Sequence, residues 1–140
     1  MCPEDLHKLS RVVIQFYEKM FSWEGEIAKN SGLSPQQNHT IEIVGDEGPI
    51  RMKPLADKLG VTTGTLTVMV DRLQKAGYVE RKNDPDDRRA FNVVLTKKGK
   101  QTHQEHHAYH SKLAEDIAGS LSEKEAEAFV EALEKINTIF

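Results

Sequence analysis

Four histidines fall within eight residues: His103, His106, His107 and His110. If that segment is helical, the steps of three and four put them on one stripe. Histidines at i and i+4 can share a zinc ion, and both His103/His107 and His106/His110 have that spacing, with Glu105 as a nearby carboxylate. His103, His106 and His110 also continue the rhythm of Leu113, Ile117 and Leu121, so the stripe reads equally as the polar end of a packing seam. A cluster of imidazoles is also the usual raw material of a proton sensor.

A second group has different chemistry. Thr62, Thr63, Thr65 and Thr67 surround Gly64. At the start of a helix their hydroxyls can donate or accept, their methyls can touch a thymine methyl, and the backbone N–H groups point at phosphate. Arg72, further along, suits a phosphate or an acid of its own chain. Arg88 and Arg89 follow the acidic turn Asn83-Asp84-Pro85-Asp86-Asp87. An arginine at a hairpin tip can enter the narrow, electronegative minor groove, and Asp87 stands where it can brace the Arg89 fork. Arg81 and Lys82 at the hairpin base suit phosphate contacts, which position a protein without specifying sequence. The partner these residues imply is double-stranded DNA. No Ser/His/Asp order with motif context, glycine-rich phosphate loop or credible acidic pair is present, so an enzyme is not expected.

Charge points the same way. The 140 residues carry a net charge of −3, but Ile50 to Lys100 holds 12 Lys and Arg against 6 Asp and Glu, a net +6 within a chain otherwise at −9. A basic middle on an acidic body is a local polyanion surface. No apolar run approaches the length of a membrane span, and the first 25 residues are charged throughout, unlike a signal peptide. A single cysteine, Cys2, allows no intramolecular disulfide or cysteine-based zinc finger, and a reduced cytoplasm is expected. So near the terminus, this thiol has no evident activating neighbour.

These residues need elements to position them. Leu6, Leu9, Val13, Phe16 and Met20 recur at helical steps, predicting a helix over 3–28 that stops at Asn30-Ser31-Gly32. Ser34-Pro35-Gln36-Gln37 is a capping box for a helix to Val44, with 45–49 as a turn. A short helix over 54–59 ends at Gly60, and Thr62 or Thr63 caps another that runs to Ala76, with Leu66, Val70 and Leu73 inward. After Gly77 the period shortens. Residues 78–81 and 91–95 are β-rich and flank strong turn chemistry, a hairpin directly behind a helix-turn-helix. Thr96 caps a helix over 97–119. Ser122 and Glu125 box another, whose stripe is Ala126, Phe129, Leu133, Ile136 and Phe140. The expected fold is mainly α with a small β wing. A winged helix-turn-helix spans 34–96, and residues 1–33 with 97–140 form a helical dimerisation region whose apolar stripes a C2 homodimer would bury.

Val70-Asp71-Arg72-Leu73, Gly77-Tyr78-Val79-Glu80-Arg81, Asp84-Pro85-Asp86-Asp87-Arg88-Arg89 and Leu95-Thr96-Lys97-Lys98-Gly99 together closely resemble the MarR family of bacterial transcription regulators. The resemblance covers essentially the whole chain. It implies a dimeric winged helix on a pseudo-palindromic operator, most often a repressor relieved by an effector bound between the dimerisation and DNA-binding regions. It maps the family's Asp-x-Arg wing pair onto Asp87 and Arg89. Val68 stands where some members carry a polar or basic residue. Some members respond to zinc through a histidine-rich stretch in this helix. Asn38-His39-Thr40-Ile41-Glu42-Ile43-Val44-Gly45 is similar to the fatty-acid-synthesis regulators of the family, which implies an acyl or other organic effector in a tunnel lined by Phe16, Met20, Trp23, Ile27 and Ile41.

Overall fold

A computed structural model describes residues 1–139; Phe140, expected on the last helical stripe, lies outside the described residues. The order is α1 Pro3–Ser31, α2 Pro35–Glu47, β1 Ile50–Arg51, α3 Met52–Leu59, α4 Thr63–Lys75, β2 Val79–Asn83, β3 Phe91–Leu95, α5 Lys97–Gly119 and α6 Glu123–Asn137. The chain divides into two compact units, Met1–His106 and the residues from His107 onward.

The first unit contains the winged helix. Its core joins Ile41 and Val44 of α2, Leu55 and Ala56 of α3, Leu66, Val70 and Leu73 of α4, and Val79, Val93 and Leu95 of the sheet. The three strands are antiparallel in the order β1-β3-β2, with Ile50 opposite Val93 and Val79 opposite Leu95. β1 was not expected. Two residues are too few to show an alternating pattern, and what fixes the strand is burial of Ile50 across the sheet.

Several boundaries differ from the sequence reading. Helix α1 reaches Ser31 because its stop is the left-handed Gly32 (φ 72°), while Asn30 stays helical. Helix α2 continues through Gly45 to Glu47, so 45–47 is no turn, and the reversal falls to Gly48 at φ 73°. A Cβ on Gly45 would strike the His103 ring, so the missing side chain makes room for an imidazole. The strand expected at 78–81 spans Val79–Asn83.

Both units leave apolar helix surface uncovered. Only Ile27 and Ala28 of α1 are buried, whereas Leu6, Leu9, Val12, Val13 and Phe16 are exposed. In the second unit, Leu113, Ile117, Leu121, Ala126 and Phe129 are half-buried, but α6 has no fully buried residue and exposes Val130, Leu133 and Ile136. The Ser122–Glu125 box forms as expected: Ser122 N–H and O–H both donate to Glu125 Oε2, at 2.8 and 2.7 Å. The Ser122 hydroxyl and then its backbone N–H hold the Glu125 carboxyl below its ordinary value.

Candidate nucleic-acid interface

Helix α4 is fixed from within. Leu66, Met69, Val70 and Leu73 are buried, which turns Thr63, Gly64, Thr67, Val68 and Arg72 outward. Thr62 is the N-cap. Its Oγ1 accepts from Thr65 N–H at 3.2 Å and donates to Thr65 Oγ1 at 3.1 Å. Thr67 donates to Thr63 O at 2.8 Å, keeping its methyl and lone pairs outward. At the other end, Lys98 Nζ donates to Ala76 O at 2.9 Å, a cation on the negative end of the helix, and lies 4.3 Å from the centre of the Tyr78 ring. Thr96 caps α5 by accepting from Gly99 N–H at 3.1 Å. Gly99 packs so closely on Tyr78 O that a Cβ there would overlap it, which ties the start of α5 to the end of α4.

The wing is built from polar contacts. Asp84 N–H donates to Ala90 O at 3.0 Å and closes the neck of the hairpin. Beyond it, Asp86 N–H donates to Asp84 Oδ1 at 2.9 Å and Arg89 N–H to Asp87 Oδ1 at 3.0 Å. This corrects the expected brace. Asp87 holds the backbone of Arg89, not its guanidinium, because a carboxylate two residues back reaches the N–H within the turn. Arg88, Arg89 and Arg72 are exposed and have no acid partner among the described residues.

Arg81 is also corrected. Its Nη2 donates to Asp71 Oδ1 at 2.6 Å and its Nη1 to Gln74 Oε1 at 2.7 Å, with the guanidinium carbon 5.5 Å from the Phe91 ring centre. It is a link from the wing to α4, not a free phosphate contact. Lys82 remains exposed, with Glu80 at 3.5 Å. Sequence reasoning missed Arg51, whose Nε and Nη2 lie 3.0 and 2.8 Å from Asp84 Oδ2. The two residues are 33 apart, and no local pattern joins them. The Asp86 N–H, and next Arg51, hold the Asp84 carboxyl below its ordinary value.

The histidines separate in part: ring nitrogens of His106 and His110, at i and i+4 on α5, lie within 4.8 Å of each other, while His103 and His107 stand apart from them. His103 Nε2 lies 2.8 Å from Asp46 Oδ1, and His106 Nε2 lies 3.7 Å from Glu42 Oε2. His103, His106 and His110 are half-buried on the line of Leu113 and Ile117, while His107 is exposed and off the stripe. A cavity of about 320 Å³ is lined by Glu24, Asn38, His39, Glu42 and His106. Within it, His39 Nδ1 is 3.5 Å from Glu42 Oε2. Asn38 is buried and donates to Ser31 Oγ at 3.1 Å, but its Oδ1 has no hydrogen-bond partner. Of these residues, the sequence reading had only His106 as a ligand. His39 and Glu42 at i and i+3 of one helix were the available signal.

The residues expected to line an acyl tunnel lie in different surroundings. Ile41 is sealed in the winged-helix core, where it packs with Val44 and Leu55, and Phe16 is exposed. Met20 and Trp23 are half-buried, and Ile27 is buried.

A capped helix with a polar outer face, followed by a wing carrying two arginines without an acid partner among the described residues, is the arrangement of a winged helix-turn-helix. Residues 33–91, from α2 into the wing, match the MarR family model, and this stretch is similar to the MarR family of transcription regulators. An uncharacterized HTH-type transcriptional regulator of Bacillus subtilis, YcgE, is 35% identical over 91 residues, covering 62% of this chain and 59% of that protein. The HTH-type regulator MhqR of the same organism is 26% identical over 129 residues, covering 92% and 89%. Among solved structures, Streptococcus pneumoniae FabT in complex with DNA is similar with a TM-score of 0.88 at 25% identity over 96% of both chains. The S. aureus MepR–DNA complex shares the fold, with a TM-score of 0.77 at 19% identity over 94% of this chain and 97% of that one. Among the described residues no helix is long and apolar enough to cross a membrane.

Proposed function

We propose that the protein is a cytoplasmic homodimer that reads a pseudo-palindromic operator and represses until an effector releases it. The observation that carries DNA reading is the pairing of an outward threonine face on α4 with Arg72, Arg88 and Arg89, three exposed arginines with no acid partner. Thr63, Thr67 and Val68 meet base edges, Thr62 and Thr65 hold the helix start, and Arg72 and Lys82 meet phosphates. Arg88 and Arg89 enter the minor groove. The uncovered apolar faces of α1 and α6 support the dimer, since two-fold pairing buries them without further chain. A cavity of about 500 Å³ lined by Val44, Pro49, Lys82, Val94, Lys100 and His103 offers apolar walls and cationic groups to a small organic effector.

The test is affinity for DNA upstream of the protein's own gene across a salt series. Log affinity should fall steeply with log salt, and Arg89→Ala should weaken binding about tenfold or more while the dimer survives in sedimentation. A flat salt dependence, or an unchanged affinity for Arg89→Ala, overturns the reading.

One observation favours zinc as the effector. The cavity lined by Glu24, His39, Glu42 and His106 carries imidazoles and carboxylates, the donor types zinc takes, with Glu42 Oε2 lying 3.5 Å from His39 Nδ1 and 3.7 Å from His106 Nε2, beside a buried amide oxygen without a partner. Bound there, the metal would draw α1, α2 and the first half of α5 together. Operator affinity should then differ between added zinc and a chelator, and His106→Ala should abolish the difference. Equal affinity in both conditions sinks this reading and leaves the organic effector.

A further inference from the structure

We infer that Arg51, which lies outside both the helix-turn-helix and the hairpin, is a positioning residue for the wing-tip arginines. The inference rests on the reading of Arg88 and Arg89 as groove residues. Arg51 sits on β1 opposite Asn92 of β3, and Asn92 in turn pairs with Lys82 of β2. From there the guanidinium reaches the neck of the hairpin. Asp84 Oδ2 receives Arg51 Nε at 3.0 Å and Nη2 at 2.8 Å, with Asn92 Nδ2 at 3.5 Å, while Oδ1 receives the Asp86 N–H at 2.9 Å. Both oxygens of that carboxylate are therefore used, and its side chain is 10% exposed.

The chain of contacts leads to the DNA-reading groups. Arg51 fixes the Asp84 carboxylate, that carboxylate fixes Asp86, and the next two links, Ala90 N–H to Asp87 O and Arg89 N–H to Asp87 Oδ1, set the backbone of Arg89. Among the described residues, Arg51 is the only side chain from outside the hairpin that bonds to residues 84–90. Its charge also offsets one of three acids crowded at 84, 86 and 87, which would otherwise repel one another and the approaching phosphates. A purely stabilising role fits poorly. The Arg51 side chain is 48% exposed, and the sheet core of Ile50, Val93 and Leu95 is buried without it. With its arginine end open to solvent, an ion pair of this kind adds only modestly to stability. What it adds here is direction: without it the tip must be ordered at the moment of binding. A direct phosphate contact by Arg51 would have to give up the Nε and Nη2 bonds to Asp84.

The experiment is a double-mutant cycle on the full-length protein, read as affinity for a duplex selected by the wild type from a randomised 20-bp pool. Hydrogen exchange of the Asp86 and Arg89 amides is followed in parallel without DNA. Arg51→Ala should weaken binding about three- to tenfold, speed exchange at both amides, and cost less than twofold once Arg89→Ala is already present. Arg51→Lys should recover part of the affinity, and Asp84→Asn should repeat the pattern of Arg51→Ala. Should Arg51→Ala fail to fold by circular dichroism, Asp84→Asn, which keeps the side-chain shape, takes its place in the cycle. Equal losses with and without Arg89, or unchanged amide exchange, overturn the inference; the first would make Arg51 a direct phosphate contact. Failure of the underlying reading looks different, because Arg89→Ala alone would then leave the affinity untouched.

Discussion

Helix α4 is held by four buried side chains, Leu66, Met69, Val70 and Leu73, whereas between Asp84 and Ala90 the hairpin tip has no buried residue and is held by hydrogen bonds and one ion pair. Apolar burial is strong, non-directional and insensitive to salt. Polar contacts are weaker, depend on angle, and respond to salt and pH. One reading element is therefore rigid by packing, and the other is aimed by a few bonds. Arg81 joins the two regimes, since it leaves β2 and bonds to Asp71 and Gln74 on the outer side of α4.

The sharpest way to break this comparison is to cut the packing. Leu66 is fully buried, so Leu66→Ala should cost about 2–5 kcal/mol. A urea titration should show a lower midpoint with an unchanged slope, by the same amount at low and high salt. A loss that shrank as salt rose would mean that charges, not packing, hold α4.

The same division explains what could be read from the sequence. Wherever apolar period or cap chemistry set the structure, the residues announced it: the α4 stripe, the Ser34 and Ser122 boxes and the hairpin strand Phe91–Leu95 were all legible. Illegible features depended on contacts distant in sequence. β1 exists because Ile50 finds Val93 across the sheet. Gly45 read as a turn glycine, but its role is to admit the His103 ring from another helix. The bonds of Arg81 and Arg51 depend on how β2 and β1 lie against their neighbours, which no local spacing encodes. Asp87 and Arg89 were correctly paired but through the wrong atoms, since a spacing of two cannot tell a backbone N–H from a guanidinium. In the histidine cluster, spacing gave the stripe but not its width: His107 is one residue past His106, about 100° around the helix, and faces outward.

A smaller effect is expected where α4 itself depends on a polar contact. Thr62 is the N-cap, and Thr62→Ala removes the acceptor for the Thr65 N–H. Such caps contribute about 1 kcal/mol. The loss should register in thermal unfolding, and Thr62→Ser should restore most of it because serine keeps the oxygen. If serine fails where alanine fails, the threonine methyl is the essential part and the cap argument is wrong.

The smallest effect, and the most informative about the wing, is its response to acid. Asp84 titrates below its ordinary value of 3.8 in the folded chain, first because of the Asp86 N–H and next because of Arg51. A carboxyl lowered by folding adds stability that is fully present above its unfolded value and is lost as pH falls through its folded value. The stability difference between wild type and Asp84→Asn should therefore be constant from neutral pH down to about pH 5 and close as the pH falls through and below 3.8. Glu125 has a lowered value of the same sign in the second unit, so the titration must be read as this difference and not on wild type alone. Leu66→Ala is the control, because its deficit has no proton to exchange and should keep its size through the same range. A wing-specific acid response beside an unresponsive α4 would confirm that the two elements are held by different forces. If the Asp84→Asn difference persisted unchanged into acid, the Asp84 carboxylate would not be what holds the tip, and the aim of Arg89 would have to come from the turn backbone alone.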